Sequence, residues 1–229
     1  MNENMIENTK NDNLELAHII GINSLFNNCV QAHPTMTETI TYSVGGIIVT
    51  EDLNEKNNQV FFRHGNNQIS CFKLSNSGRF LAVGFTTSNL DKQYPANLII
   101  WDFEKKEVLY ELTGMFKAVK FIEFSPDDRF ISALSIENSF FIWETNTGNR
   151  CYNRNYDTNT NMTKWVRIAY EENSKHPNYS IILSNVNNLF HYYFKYDLKS
   201  MQYVMEYNKF NMPSSGLSRT FVCSVYDYN

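Results

Sequence analysis

Residues Ile69-Ser-Cys-Phe-Lys-Leu-Ser-Asn-Ser-Gly-Arg-Phe-Leu-Ala82, closed further on by Asn97-Leu-Ile-Ile-Trp-Asp102, recur in the same chain. The second statement is Val119-Lys-Phe-Ile-Glu-Phe-Ser-Pro-Asp-Asp-Arg-Phe-Ile-Ser132, closed by Ser139-Phe-Phe-Ile-Trp-Glu144. Ser75 corresponds to Ser125 fifty residues later, and Arg79-Phe80 to Arg129-Phe130. Trp101 corresponds to Trp143 only forty-two residues later, so the first copy holds eight extra residues between its middle strands. A period of about 40–45 residues, built of short alternating strands and ending in Trp-Asp, is the mark of a β-propeller blade.

Working outward, Thr39-Ile-Thr-Tyr-Ser43, Gly46-Ile-Ile-Val-Thr50 and Gln59-Val-Phe-Phe62 make an earlier unit with the strand opened by Asn28-Cys-Val. Gly, Pro, Asn and Asp turns separate its strands. Thr50 holds the place of the tryptophan. Arg63-His64-Gly65 opens the next unit, and Ser125-Pro-Asp-Asp128 turns the inner strands of the third. After Arg150 the pattern fades, but Trp165–Tyr170, Tyr179–Leu183, Leu189–Tyr193 and Met201–Met205 still read as four strands, with Tyr193 in the tryptophan position. The expectation is an all-β chain of about four four-stranded blades plus one extra strand, a partial propeller. A polar leader, 1–13, too poor in apolar residues to fold, precedes blades near 14–62, 63–113, 114–155 and 156–210, and a fifth begins at 217–229. Leu14–Ile22 reads as a strand before the first full unit.

Bulk properties agree with a folded sheet protein. Of 229 residues 42% are hydrophobic and 15% aromatic, enough for a core of sheet faces. A net charge of −4 offers no basic surface for a phosphate backbone, which argues against nucleic acid. No apolar run approaches the roughly 18 residues of a membrane span, and the Asn-rich start is no signal peptide. Cys29, Cys71, Cys151 and Cys223 have neither the spacing of a zinc site nor that of a redox pair, so reduced thiols are expected. Cys29, Cys71 and Cys223 share one column, three residues before Ala32, Leu74 and Tyr226, where a small soft residue fills core.

No catalytic residues, metal ligands or cofactor site emerge. Asp127-Asp128 and Glu171-Glu172 sit in turns without the burial a catalytic dyad needs, and Gly45-Gly46 is a hairpin turn, not a phosphate loop. Trp101 and Trp143 are expected between adjacent blades, with Asp102 ending its strand by pairing with turn amides and Ser125 and Asp127 shaping a turn. His64 is a candidate for a structural network with a serine and the tryptophan of its blade. For partner contact the candidate is the long loop 85–96, whose Leu90 and Tyr94 offer apolar anchors beside Lys92 and Gln93; the bland alternative is a tolerated insertion.

These residues resemble one family. His18-Ile-Ile-Gly-Ile-Asn23, Cys29 through His33-Pro34, His64-Gly-Asn-Asn-Gln-Ile-Ser-Cys71 and Asn97-Leu-Ile-Ile-Trp-Asp102 look like the opening of the cilia- and flagella-associated protein 52 family, which are WD40 proteins of the axoneme. The resemblance runs from Leu14 to Asn229 and thins after Arg150. It implies a non-enzymatic scaffold inside ciliary doublet microtubules, in the B-tubule lumen, touching tubulin and other microtubule inner proteins. It also implies more blades than this chain holds, so the remainder of a longer propeller is an expected partner. The alternatives are a cytosolic WD40 adaptor that binds peptides on the propeller face and, from another class, a propeller hydrolase.

Overall fold

The computed structural model describes residues 16–23, 26, 29–55, 58–87, 95–169, 176–185 and 188–210. The leader, most of the long loop with Leu90, Lys92, Gln93 and Tyr94, Cys223 and the strand expected at 217–229 lie outside these residues. Sixteen strands are described, in four antiparallel sheets of four. Blade 1 is β1 (Val30–Ala32), β2 (Thr39–Val44), β3 (Ile47–Asp52) and β4 (Gln59–Arg63). Blade 2 is β5 (Ile69–Leu74), β6 (Phe80–Phe85), β7 (Pro95–Asp102) and β8 (Glu107–Phe116). Blade 3 is β9 (Val119–Phe124), β10 (Phe130–Ser135), β11 (Ser139–Glu144) and β12 (Arg150–Asn155). Blade 4 is β13 (Thr160–Ala169), β14 (Asn178–Asn185), β15 (Asn188–Asp197) and β16 (Gln202–Lys209). In every sheet the strands pair in chain order, so each blade is an up-and-down meander.

The second strands of blades 2 and 3 are buried on both faces. All six residues of β6 and of β10 are buried, which explains why Phe80–Phe85 and Phe130–Ser135 run apolar or small instead of alternating. The core lies between sheets. One cluster joins Ile48 and Phe62 of blade 1 to Phe72, Leu81 and Trp101 of blade 2. A second joins Leu98 and Ile100 to Ile122, Ile131 and Trp143. A third joins Phe130 and Ile142 to Trp165, Tyr179 and Phe194. Blades 2 and 3 approach closely at Gly84 of β6, where an added Cβ would stand 2.6 Å from Val119 of β9, so no larger residue fits without movement.

Three expectations need correction. Residues 16–22 are not a strand: no backbone ladder flanks them, and the Gln59 carboxamide substitutes for one. It accepts from Ile19 N at 2.8 Å and donates to Ile19 O at 3.1 Å, while Asn23 N donates to Ser43 O. In blade 1 the tryptophan position belongs to Glu51, not Thr50. Ile40 pairs with Glu51 as Leu81 pairs with Trp101 and Ile131 with Trp143. Glu51 is tied down by Tyr42 Oη at 2.9 Å and Gln59 Nε2 at 3.1 Å, and burial beside this carboxylate pushes the Tyr42 hydroxyl up to about 12. Thr50 instead shares a hydrogen bond with Thr41 at 3.0 Å in the interior. In blade 4 Tyr193 is not buried: it is 37% exposed against His191, and the enclosed rings are its neighbours Tyr192 and Phe194.

Candidate functional site

The described residues present joints between blades and exposed outer surfaces. Among them no group of three or more His, Cys, Asp and Glu could hold a metal ion, and no helix is long and apolar enough to cross a membrane. Burial pushes the Cys71 thiol up to about 12 and Cys151 to about 11, which keeps both protonated and poor nucleophiles near neutral pH. Cys71 donates its thiol to Val119 O at 3.4 Å across the seam between blades 2 and 3.

Trp101 meets Phe62 of blade 1 edge-on at 5.5 Å, and Trp143 lies parallel to Phe141 at 5.3 Å within the cluster between blades 2 and 3. Asp102 is buried and its carboxylate accepts Lys105 N at 3.0 Å. Ser125 Oγ accepts Phe130 N at 2.9 Å and donates to Asp127 Oδ1 at 2.7 Å, closing the turn between β9 and β10. His64 Nε2 is 4.0 Å from the Glu111 carboxylate at a half-exposed site, and no bond from it to a serine or to Trp101 is seen among the described residues.

The turns of the inner hairpins form a relay from blade to blade. Asp128, at φ 56°, turns its carboxylate into the preceding blade's turn and accepts Asn76 N at 2.7 Å, Asn76 Nδ2 at 2.9 Å and Ser77 N at 2.7 Å. Asp and Asn tolerate this left-handed conformation better than other non-glycine residues. Its neighbour Asp127 faces the other way and accepts Tyr179 Oη of blade 4 at 2.8 Å. Burial, then the Asp127 carboxylate, raises the Tyr179 hydroxyl. Arg129 adds a bond to Tyr203 Oη at 3.2 Å. Between blades 1 and 2 the relay is made by His33. Its Nδ1 accepts Met36 N at 3.0 Å, its ring lies 4.7 Å from Phe103, and its Nε2 reaches toward the Gly78 backbone short of a well-formed hydrogen bond.

A second relay runs along the inner strands. The Gln31 carboxamide donates to Phe72 O at 2.7 Å and accepts Leu74 N at 3.2 Å, and Lys73 pairs with Glu123 at 3.0 Å. Burial raises the Glu123 carboxyl, with Lys73 and then Lys164 opposing it. Trp165 Nε1 donates to Ser132 Oγ at 2.8 Å, which joins blade 4 to blade 3.

Sequence reasoning passed over Asp128, His33, Gln31 and Trp165, because their partners stand in a neighbouring unit and occur once each. The readable signal was the residue type at Asp128: an acid at the left-handed position of a turn where the preceding blade has Gly78. Replacing Asp128 with Ala removes the acceptor of the Asn76 and Ser77 backbone N–H groups at a part-buried turn. Hydrogen bonds to a charged group are worth about 1.5–3 kcal/mol and less where water can replace the acceptor, so a loss of about 1–3 kcal/mol is expected in urea unfolding.

Acid should loosen the array. Burial lowers the pKa of both His33 and His191. The unfolded chain then binds more protons than the folded one below the ordinary His value of about 6.5. Stability from these groups is complete above about pH 6.5 and is lost as pH falls through the folded values. The raised Glu123 carboxyl acts in the opposite sense and nearer the carboxylate range. The melting temperature is therefore expected to fall from about pH 7.5 to about pH 5.5, and His33→Asn should shrink that difference.

Four antiparallel meanders packed face to face in chain order, with tryptophans from the third strands in the seams, define a WD40-type β-propeller. Solved structures share that architecture. The chain superposes on U3-55K with a TM-score of 0.52 and on the RRP9 WD40 repeats with 0.53, each at 13% identity, covering 78% of this chain and 50% of the other. No model of a protein family matches. Among curated proteins it is 32% identical over 157 residues to cilia- and flagella-associated protein 52 of Chlamydomonas reinhardtii, covering 68% of this chain and 25% of the relative. The human protein of the same name is 30% identical over 132 residues, covering 57% and 20%. The chain is thus related to the cilia- and flagella-associated protein 52 family, and its matched part spans about a quarter of those relatives' length.

Proposed function

We propose that this chain is a non-enzymatic WD40 scaffold of the ciliary or flagellar axoneme. In this reading it is a microtubule inner protein that binds tubulin and neighbouring inner proteins in the B-tubule lumen of doublet microtubules. The observation that carries the reading is the 32% identity to cilia- and flagella-associated protein 52 of Chlamydomonas reinhardtii over 68% of the chain. The geometry supports it in kind. Rigid sheets joined by turn-to-turn bonds hold their outer strands β4, β8, β12 and β16 at sheet edges, where shape-matched contacts can repeat along a filament. Weak contacts repeated in this way add into strong retention.

Fractionation of isolated axonemes tests it. A luminal scaffold stays with the doublets through a high-salt wash. Recovery of the whole population in the soluble pool would defeat the proposal and favour a cytosolic adaptor.

A further inference from the structure

Blade 4 has a second broad face. Tyr179, Ile181 and Leu183 of β14 turn toward blade 3, so Ser180, Ile182 and Ser184 turn the other way, beside His191 and Tyr193 of β15. None of the clusters that fill the seams among the described residues includes a residue of this face. Its inner part is nonetheless closed to water: Ile182 is 8% and Ser184 1% exposed, and His191 Nε2 is sealed from solvent. A sheet face is closed in this way by another layer laid against it.

Two observations say which layer. The chain leaves β16 on this side: Phe210 N donates to Leu189 O at 2.9 Å, and the Phe210 ring runs parallel to that of His191 at 6.2 Å. Residues 211–229 follow, and the ten residues 211–220 have length to spare for crossing from outer to inner strand, three spacings of about 4.8 Å.

The face is also shaped like one that receives a blade. In blade 2, Val119 of the next inner strand seats over Gly84, two residues beyond Ala82. In β5 and β9 the first, fourth and sixth residues face the preceding blade: Ile69, Phe72 and Leu74, then Val119, Ile122 and Phe124. In Phe221-Val-Cys-Ser-Val-Tyr226 those positions are Phe221, Ser224 and Tyr226.

We propose that residues 221–226 of this same chain lie along blade 4 as a further inner strand, with Phe221 over Ser184 and Ser224 over Ile182. The seam between blades 2 and 3 combines a small Ala82 with a large Ile122. Here a large Ile182 meets a small Ser224, and the volume is kept. The strand expected at 217–229 thereby gains a register and a face, and that face is filled from within the chain. The inference is independent of the axonemal reading and holds wherever the chain resides.

The test uses the full 229-residue chain. The amides of 221–226 are expected to exchange their hydrogens about tenfold or more slower than in a free peptide of the same sequence, at every protein concentration. A disulfide reads the register. With Cys223→Ser in place, Ser184→Cys and Phe221→Cys should join within one chain on oxidation by diamide, since their Cβ atoms come as close as such a bond needs. Ser184→Cys with Ser214→Cys should not. Exchange of 221–226 at the free-peptide rate, protection that grows with concentration, bridges between chains, or equal bridging by the two pairs would overturn the proposal. If the cysteine variants do not fold, wild-type exchange alone decides. Each of these results leaves the axoneme fractionation untouched, and a soluble-pool result there leaves these measurements untouched.

Discussion

Phe130→Ala is expected to lower the unfolding free energy by about 3–5 kcal/mol, the usual loss on emptying a buried aromatic site. Phe130 is fully enclosed between blades 3 and 4. Its ring meets Tyr179, Phe194 and Tyr203 edge-on at 5.2, 5.2 and 5.1 Å, and runs parallel to Trp165 at 6.4 Å. These neighbours come from β13, β14, β15 and β16, so relaxation around the void would have to move a whole sheet. Urea unfolding followed by tryptophan fluorescence measures the effect. Phe130→Leu, which keeps most of the volume, should lose much less. A loss below about 1 kcal/mol for the alanine variant would show that the two blades are not packed through this ring.

Trp143→Ala is the second large effect, again about 3–5 kcal/mol. Its indole is buried beside Phe141 in the cluster that also holds Phe80, Leu98, Ile122 and Ile131. For a chain of this size each kcal/mol moves the midpoint by about 2–4 °C, so a drop of about 6–20 °C is expected in a thermal melt. A change under about 2 °C would place the indole outside the seam. Trp143→Phe separates ring loss from size, since it keeps an aromatic face against Phe141.

The parts of the fold that repeat within a blade, the seam tryptophans Trp101 and Trp143 among them, were legible in the sequence, and the polar bonds from one blade to the next were not. Phe80–Phe85 and Phe130–Ser135 repeat as apolar runs because each is the double-faced second strand of its sheet, so their spacing revealed the period. The register slipped by one in blade 1. There the first turn, from His33 to Thr39, is one residue longer than that from Ser75 to Phe80, and Glu51 takes the place where Thr50 was expected. In blade 4 the consensus turn residues are absent and β13, β14 and β15 run to 10, 8 and 10 residues, so Tyr193 could not be told from its enclosed neighbours by counting. The turn at Ser125–Asp128 was legible as a turn. That Asp128 points back to Asn76 while Asp127 points forward to Tyr179 depends on how two sheets are inclined, which a one-dimensional period does not carry.

The relay of turns also ranks the seams. Between blades 2 and 3 a carboxylate holds three N–H groups; between blades 1 and 2 the same station offers a neutral imidazole leaning on Gly78. In an assembly whose modules touch only their nearest neighbours, opening begins at the weakest junction and need not spread. Amide protons of the first module should therefore exchange with solvent water ahead of those in the second and third, giving the protein a stepwise loosening with a defined point of origin.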